Sequence, residues 1–481
     1  MRMLTVTMLL MRILFTTATY LPSINGVAIT VARMKKELEE RGCEVIVLAP
    51  DNPNRVKGEK GVIRYPSLPN PIVRDYPVPI IPSLKTIIKM LGNKKPDVVH
   101  VHHPFNVGYA SSVLAKYYKV PLVFTYHTRY DAYAESYFKF LPSKIKKGFI
   151  QNNVDNFCKN VDLIITPSNS ITNDILKRFP YLNIVTIPSG LAEIPKVNLS
   201  KEAIREKLNL PKNKRILLVV CRISKEKNLS LLIKSISRLS EDFFLIIVGG
   251  GNFEKQLKEL ANKEEMNEKV RFVGLVEHDK LGIYYQVADF FVYPSTTETQ
   301  GLIFLEALSF GLPIVAVDSE ASREWVTNDK GMLTKNTPED FANGILTEGK
   351  RDWMKVSKMT MDFTKQFSVA KATSKLLHEY KQVVERHSLG NKLLETGWQS
   401  WSPRKKSFLL KWPAWNYSPE PDDFLPSKSE VIKKKKSALG WCSWYAFGFH
   451  ISEDKILRQA EWLAHHRELP IEYILNRWRL D

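Results

Sequence analysis

Short apolar runs alternate with amphipathic stretches along most of this 481-residue chain, and that rhythm restricts its fold more than any other feature. Arg12-Ile-Leu-Phe-Thr16 ends in small residues, and Asn25-Gly-Val-Ala28 then opens a helical pattern through Val31, Met34 and Leu38. Glu44-Val-Ile-Val-Leu-Ala-Pro50 follows as a second apolar run. Runs this short and this continuous suit strands covered on both faces, and strands separated by helices pair in parallel. The rhythm continues at 97–103, 121–128 and 162–168, the last run preceding a helical pattern from Ile171 to Phe179. A second series starts at Arg215-Ile-Leu-Leu-Val-Val-Cys221 and runs through 245–252, 271–275, 290–294 and 312–318. Between the series, residues 183–197 read as a crossing from one α/β domain to another. Helices on both faces of parallel sheets are the expected architecture. A hydrophobic content of 44 % is enough for two or three cores.

Several motifs stand where such sheets bind ligands, just beyond the carboxyl ends of strands. Glu298-Thr-Gln-Gly-Leu-Ile-Phe-Leu-Glu306 follows the run at 290–294 and sets two carboxylates eight residues apart. Thr296, Thr297 and Gly301 place the first carboxylate on a loop. Glu306 then falls in the first turns of a helix that begins near Gly301 and Leu302. Unpaired N–H groups at that helix start suit a phosphate, and the carboxylates suit hydroxyl groups. Arg222-Ile-Ser-Lys-Glu-Lys-Asn228 sets three cations between a strand and a helix (Leu231, Leu232, Ile236), an arrangement that either clamps phosphate or caps the helix through Glu226. Gly249-Gly-Gly251 ends another strand with glycines that would admit a nucleotide, without forming a dinucleotide fingerprint. Gly26 and Val27 occupy the turn after the first strand. His102, His103 and His127 end two more strands, but no carboxylate or cysteine joins them at metal-ligand spacing.

The net charge of +19 admits nucleic acid, anionic membranes or acidic small molecules as partners. No helix-turn-helix, zinc-finger or RNA-binding signature supports the first, so no nucleic-acid partner is expected. No run of 18 apolar residues is present, so no membrane-spanning helix is predicted. The four cysteines (Cys43, Cys158, Cys221, Cys442) are scattered, which fits a reducing cytoplasm rather than a disulfide framework. Tyr137 to Ile150 interleaves Lys144, Lys146 and Lys147 with Phe138, Phe140, Leu141, Ile145 and Phe149. Such a mixture can lie on an anionic bilayer, each lysine contributing about 1 kcal/mol near the surface. The same pattern also describes a helix with a core face and a solvated basic face.

Glu-x7-Glu with its Gly-Leu-Ile filling resembles the large family of retaining GT-B glycosyltransferases that includes sucrose synthases and bacterial lipid mannosyl- and glucosyltransferases. The segment from Cys221 to Lys227 is similar to that family's Gly-Arg-x-x-x-Glu-Lys, with Cys221 in place of the glycine. Asn25-Gly-Val-Ala28 matches its diphosphate turn, and Tyr126-His-Thr-Arg-Tyr130 is closest to its diacylglycerol glucosyltransferases. The resemblance spans residues 11–388 and implies an α/β fold of GT-B type, two Rossmann-like domains with a cleft between them. It implies that Glu298 and His127 hold the donor sugar and Glu306 the ribose hydroxyls. Gly26, Val27, Arg222, Lys227, Gly301, Leu302 and Ile303 would bind the diphosphate and sugar, and Arg271 to Leu275 would border the base. The donor would be a nucleotide sugar, UDP-glucose in the lipid enzymes, with no metal or other cofactor needed. Lys144, Lys146, Lys147, Tyr130 and Tyr133 would face the membrane and a lipid acceptor, and the enzyme would sit peripherally on the cytoplasmic face. A soluble sugar, sugar phosphate or polysaccharide is the alternative acceptor.

The expected division is an extension over 1–10, an acceptor-side domain over 11–190 and a nucleotide-sugar domain over 191–365. A helix over 366–388 would cross back to the first domain. The remainder, 389–481, differs in kind, since eight of the ten tryptophans lie beyond Glu395. Gly397-Trp-Gln-Ser-Trp-Ser402 and Gly440-Trp-Cys-Ser-Trp-Tyr445 resemble motifs of the melibiase/α-galactosidase clan, without the paired catalytic carboxylates that a retaining glycosidase needs. An incomplete C-terminal fragment is the expectation there, with most of the excess charge lying before it.

Overall fold

The computed structural model describes residues 11–23, 25–55, 58–68, 77–130, 143–351 and 354–395. The extension 1–10, Tyr133, the side chains of Lys144, Lys146 and Lys147, and the tryptophan-rich tail beyond Glu395 lie outside the described residues. The chain forms two compact units. The first takes the described residues up to Ile165, Tyr181–Val185 and those from Lys375 onward; the second takes Thr166–Pro180 and Thr186–Ser374.

In the first unit the apolar runs become β1 (Arg12–Thr16), β2 (Glu44–Pro50), β3 (Val62–Tyr65), β4 (Val98–Val101), β5 (Leu122–Thr125), β6 (Leu163–Thr166) and β7 (Ile184–Thr186). They make one sheet in the order β3-β2-β1-β4-β5-β6-β7. Ile13 stands parallel to Val45 on one side and Val98 on the other. Ile13, Leu14 and Phe15 are wholly buried, as continuous apolar strands in a covered sheet must be. Asn25 starts the helix Gly26–Glu40 by accepting from the Ala28 N–H at 3.0 Å. The stripe that helix buries is Ala28, Val31, Met34 and Leu38. The unit boundary falls inside the long helix Val369–Glu395, whose Leu376, Tyr380 and Val383 are buried.

The second unit holds β8 (Arg215–Val220), β9 (Phe243–Val248), β10 (Val270–Gly274), β11 (Phe290–Tyr293), β12 (Ile314–Val317) and β13 (Gly331–Thr334). Their order is β10-β9-β8-β11-β12-β13, with parallel pairing throughout. Leu217, Leu218, Ile246, Phe291 and Val315 lie in its core, which helices cover on both faces. Both sheets therefore have the doubly wound order that the strand–helix rhythm predicts. In each, the chain runs outward in one direction, returns, and continues in the other. Loops on the two sides of that reversal leave a crevice at the strand ends where ligands bind. The reversal lies between β1 and β4 in the first sheet and between β8 and β11 in the second.

Candidate functional site

The second unit brings its charged groups together at this reversal. Lys227 lies in the loop after β8 and Glu298 in the loop after β11, 71 positions apart in the chain. Because β8 and β11 are neighbours, both loops leave the same edge, and the Lys227 ammonium forms an ion pair with Glu298 Oε1. Tyr293, the last residue of β11, donates its hydroxyl to the same oxygen at 2.6 Å. Each side chain of the pair keeps only 18 % exposure. Burial pushes the Glu298 carboxyl up, but the Lys227 charge and the bonds from Lys227, Tyr293 and Ser295 outweigh it and hold it below the usual carboxylate range. Burial pulls Lys227 down, and Glu298 more than restores it, so its pKa ends above the usual lysine value. Both remain charged. Burial sends the neighbouring Cys221 thiol up to about 12, which leaves it protonated and unreactive.

The backbone between the two carboxylates is anchored at several points. Ser168 Oγ donates to Thr299 O at 3.1 Å, Gln300 Oε1 accepts from Ser189 N at 3.0 Å, and Trp325 Nε1 donates to Gln300 O at 2.5 Å. Gly301 then turns the chain with φ +73°, and the helix Leu302–Ser309 begins behind it with no side-chain cap. A Cβ at Gly301 would sit 2.6 Å from the Phe304 ring, so this start requires glycine twice over. The amides of Leu302 and Ile303 are the donor-rich end of that helix. Glu306 lies on its second turn, where Tyr285 donates to Oε2 at 2.8 Å and His278 Nε2 lies 3.6 Å from Oε1. Arg222 is largely exposed and pairs with Glu226 at 2.7 Å, so it can turn toward an anion at little cost.

The glycine run after β9 meets a constraint inside the protein. A Cβ on Gly249 would come within 1.9 Å of Cys221 O, and one on Gly251 within 2.2 Å of Ile223 O. These residues let the end of β9 close against the end of β8, and that contact positions the Arg222–Lys227 loop.

Among the described residues, the first unit has no Asp, Glu, Lys or Arg in the loops that follow β1 and β4. His100 lies in β4, His102 and His103 just beyond it, and His127 just beyond β5. His100 is held by Tyr380 OH at 2.5 Å and Thr125 Oγ1 at 2.6 Å. His103 Nδ1 accepts from the Ala18 N–H at 3.1 Å, and His102 Nδ1 meets His127 Nε2 at 2.8 Å. Burial pushes His100 and His102 well below the usual histidine range, His103 down to about 4 and His127 down to about 3. All four are neutral at pH 7.

Of the other candidate residues, Gly26 opens its helix beside Val27 and borders open space, where an added Cβ would touch nothing within 4 Å. Tyr130 is buried, with its ring edge-to-face against Phe105 and Tyr126. The backbone of Lys144, Lys146 and Lys147 belongs to the helix Ser143–Cys158. Sequence reasoning missed Tyr285, Tyr293 and His278. The two tyrosines sit within apolar runs and read as core, and only a tyrosine at the very end of a strand, as at Tyr293, hints that its hydroxyl faces the crevice.

Comparison with known proteins adds to this geometry. Residues 200–357 match the family described as glycosyl transferases group 1, and residues 24–192 match glycosyltransferase family 4. The chain is 30 % identical over 353 residues to an alpha-monoglucosyldiacylglycerol synthase of Acholeplasma laidlawii, covering 70 % of this chain and 87 % of that one. It is 31 % identical over 316 residues to the synthase of the same name from Streptococcus pneumoniae, covering 64 % and 71 %. Among solved structures, Anabaena HepE in complex with UDP superposes with a TM-score of 0.62 at 17 % identity, covering 77 % of this chain and all of that one.

Proposed function

The chain belongs to the group 1 glycosyl transferases of GT-B fold, and on that premise we propose that it is a retaining hexosyltransferase. In this reading it moves glucose from UDP-glucose to the hydroxyl of a membrane lipid such as diacylglycerol. Its donor site is the strand-end crevice of the second unit. The observation that carries the reading is the meeting of Lys227 and Glu298 across the β8–β11 reversal.

Breaking the bond between sugar and diphosphate builds negative charge on the departing phosphate, so the groups that matter are those that bind this charge better as it grows. Lys227, Arg222 and the Leu302 and Ile303 amides have the sign and placement for that work. Gly26 and Val27 extend the phosphate contacts in the resemblance, and Glu306 takes the ribose hydroxyls. Glu298, kept ionised by its partners, accepts from a sugar hydroxyl and orients the ring. The resemblance gives His127 a hydrogen bond to the transferred sugar. Cations of the chain carry the leaving-group charge, so the step calls for no metal ion. Retention follows from attack on the face the leaving group vacates, with the departing phosphate oxygen accepting the proton of the incoming hydroxyl.

The names of the two relatives support glucose and diacylglycerol, and the UDP complex of the structural neighbour supports the nucleotide. The excess of positive charge supports an anionic membrane surface. Among the described residues no helix is long and apolar enough to cross a membrane, so the proposed attachment is peripheral. The test uses purified protein and radiolabelled nucleotide sugars, offered diacylglycerol in anionic vesicles or a set of soluble sugars. Glucolipid formed only with vesicles, and lost in Glu306→Ala and Lys227→Ala, is the expected result. Transfer to soluble acceptors alone overturns the lipid assignment and leaves the donor chemistry standing.

A further inference from the structure

We propose that His102 is a positioning residue that holds His127 in the tautomer with its proton on Nδ1, so that His127 offers an N–H donor to a sugar hydroxyl. The inference rests on the role given to His127 above and concerns how that role is set up.

His102 is wholly buried, and its Nδ1 lies 2.8 Å from His127 Nε2. One nitrogen of that contact must carry the shared proton. Burial keeps both rings neutral, so each has one N–H and one bare nitrogen. If His127 donated through Nε2, His102 would accept at Nδ1 and carry its own proton on Nε2. His102 Nε2 is buried with no hydrogen-bond partner among the described residues. A buried N–H without an acceptor costs about 1–3 kcal/mol and is the rarer of the two defects, a bare acceptor being better tolerated. The stable arrangement therefore has His102 donating through Nδ1 to His127 Nε2, which leaves the His127 proton on Nδ1.

Among the described residues, the rings around His102 offer it no other hydrogen bond. His100, its ring neighbour at 4.3 Å, is engaged at both nitrogens by Tyr380 and Thr125. Phe15 presents an edge-to-face contact and no polar group. His103 is an internal contrast: its Nδ1 accepts from the Ala18 N–H, so its proton must lie on Nε2. Adjacent histidines on one strand end are thus set to opposite tautomers by their partners.

Nitrogen-15 histidine labelling of the full chain, read by long-range proton–nitrogen correlation, reports each tautomer directly, with His127→Gln and His103→Gln assigning the signals. The expected result is a proton on Nδ1 of His127 and on Nε2 of His103. In His102→Leu, His127 should shift toward the Nε2–H form, and kcat for transfer should fall about 10- to 100-fold with KM for the nucleotide sugar unchanged. His102→Asn, whose amide N–H can take the place of Nδ1–H, should restore the tautomer and most of kcat. A proton on Nε2 of wild-type His127, or an unmoved tautomer in His102→Leu, overturns the proposal. If His102→Leu does not fold, the wild-type spectrum and His102→Asn still decide it. The spectra need no substrate, so the tautomer can fail while transfer stands, and transfer can fail while the tautomer stands.

Discussion

The two units share the strand order about their reversals, and each lines its own strand-end crevice with different chemistry. At the β8–β11 reversal the second unit places a lysine, a glutamate and a helix start, and both side chains stay charged because each is the other's partner. Near the β1–β4 reversal the first unit places neutral histidines, bonded to Tyr380, Thr125, the Ala18 N–H and one another, with His102 Nε2 buried and without a partner among the described residues. Fold alone therefore fixes where a site can be and leaves its chemistry to the loop residues. A charged crevice suits a diphosphate. A neutral, donor-rich one suits hydroxyl groups.

The largest expected effect tests whether charge stabilisation belongs to the second unit. Lys227→Ala should lower kcat/KM about 1,000-fold in the vesicle assay, well beyond the loss in His102→Leu; equal losses would dissolve the contrast. Next in size is stability. Lys227→Met leaves Glu298 buried without its counter-charge and should cost about 3 kcal/mol, at the low end for a buried pair because 18 % exposure remains. Hydrogen exchange followed by mass spectrometry should show the loss confined to the second unit, with Lys227→Met/Glu298→Gln recovering most of it.

Acid should separate the units in the other direction. The histidines of the first unit bind protons more weakly folded than unfolded, so below about pH 6.5 the unfolded state takes up more protons and stability falls, by up to about 1.4 kcal/mol per pH unit for each histidine. The loss continues until the folded values are reached, about 4 for His103 and about 3 for His127. Glu298 has a depressed folded pKa, so its contribution is present above the ordinary carboxylate range and is lost only as pH falls through that lower value. Exchange profiles at pH 7, 6 and 5 should therefore show the first unit opening first. The smallest effect is Tyr285→Phe, which removes one bond to Glu306 at about 1 kcal/mol. It should change the KM for the nucleotide sugar severalfold and leave kcat intact, as seen by steady-state kinetics.

Much of this was legible in the chain. Runs such as Arg215–Val220 announced strands because a sheet covered on both faces needs unbroken apolar residues. The Glu298–Glu306 segment announced a loop and a helix start because Thr296, Thr297 and Gly301 interrupt the apolar pattern before it resumes at Leu302. Other features were hidden for equally physical reasons. Tyr293 and Tyr285 read as core because a ring is buried the same way whether or not its hydroxyl has a carboxylate to serve. The glycines after β9 read as room for a ligand, whereas Gly249 and Gly251 make room for the backbone of Cys221 and Ile223. Thr166–Pro180 follows the first unit's strands in sequence yet groups with the second unit, because burial and not chain order decides where a helix packs.

By itself the sequence determined the alternating elements, the two parallel sheets and the identity of the charged and glycine-rich loops. These depend on local periodicity and on backbone preference, which neighbouring residues already express. Only the tertiary structure decided that Lys227 partners Glu298, that Tyr285 serves Glu306 and that His102 meets His127. Those pairings follow from which strands lie side by side, and strand adjacency is settled by packing across the whole sheet.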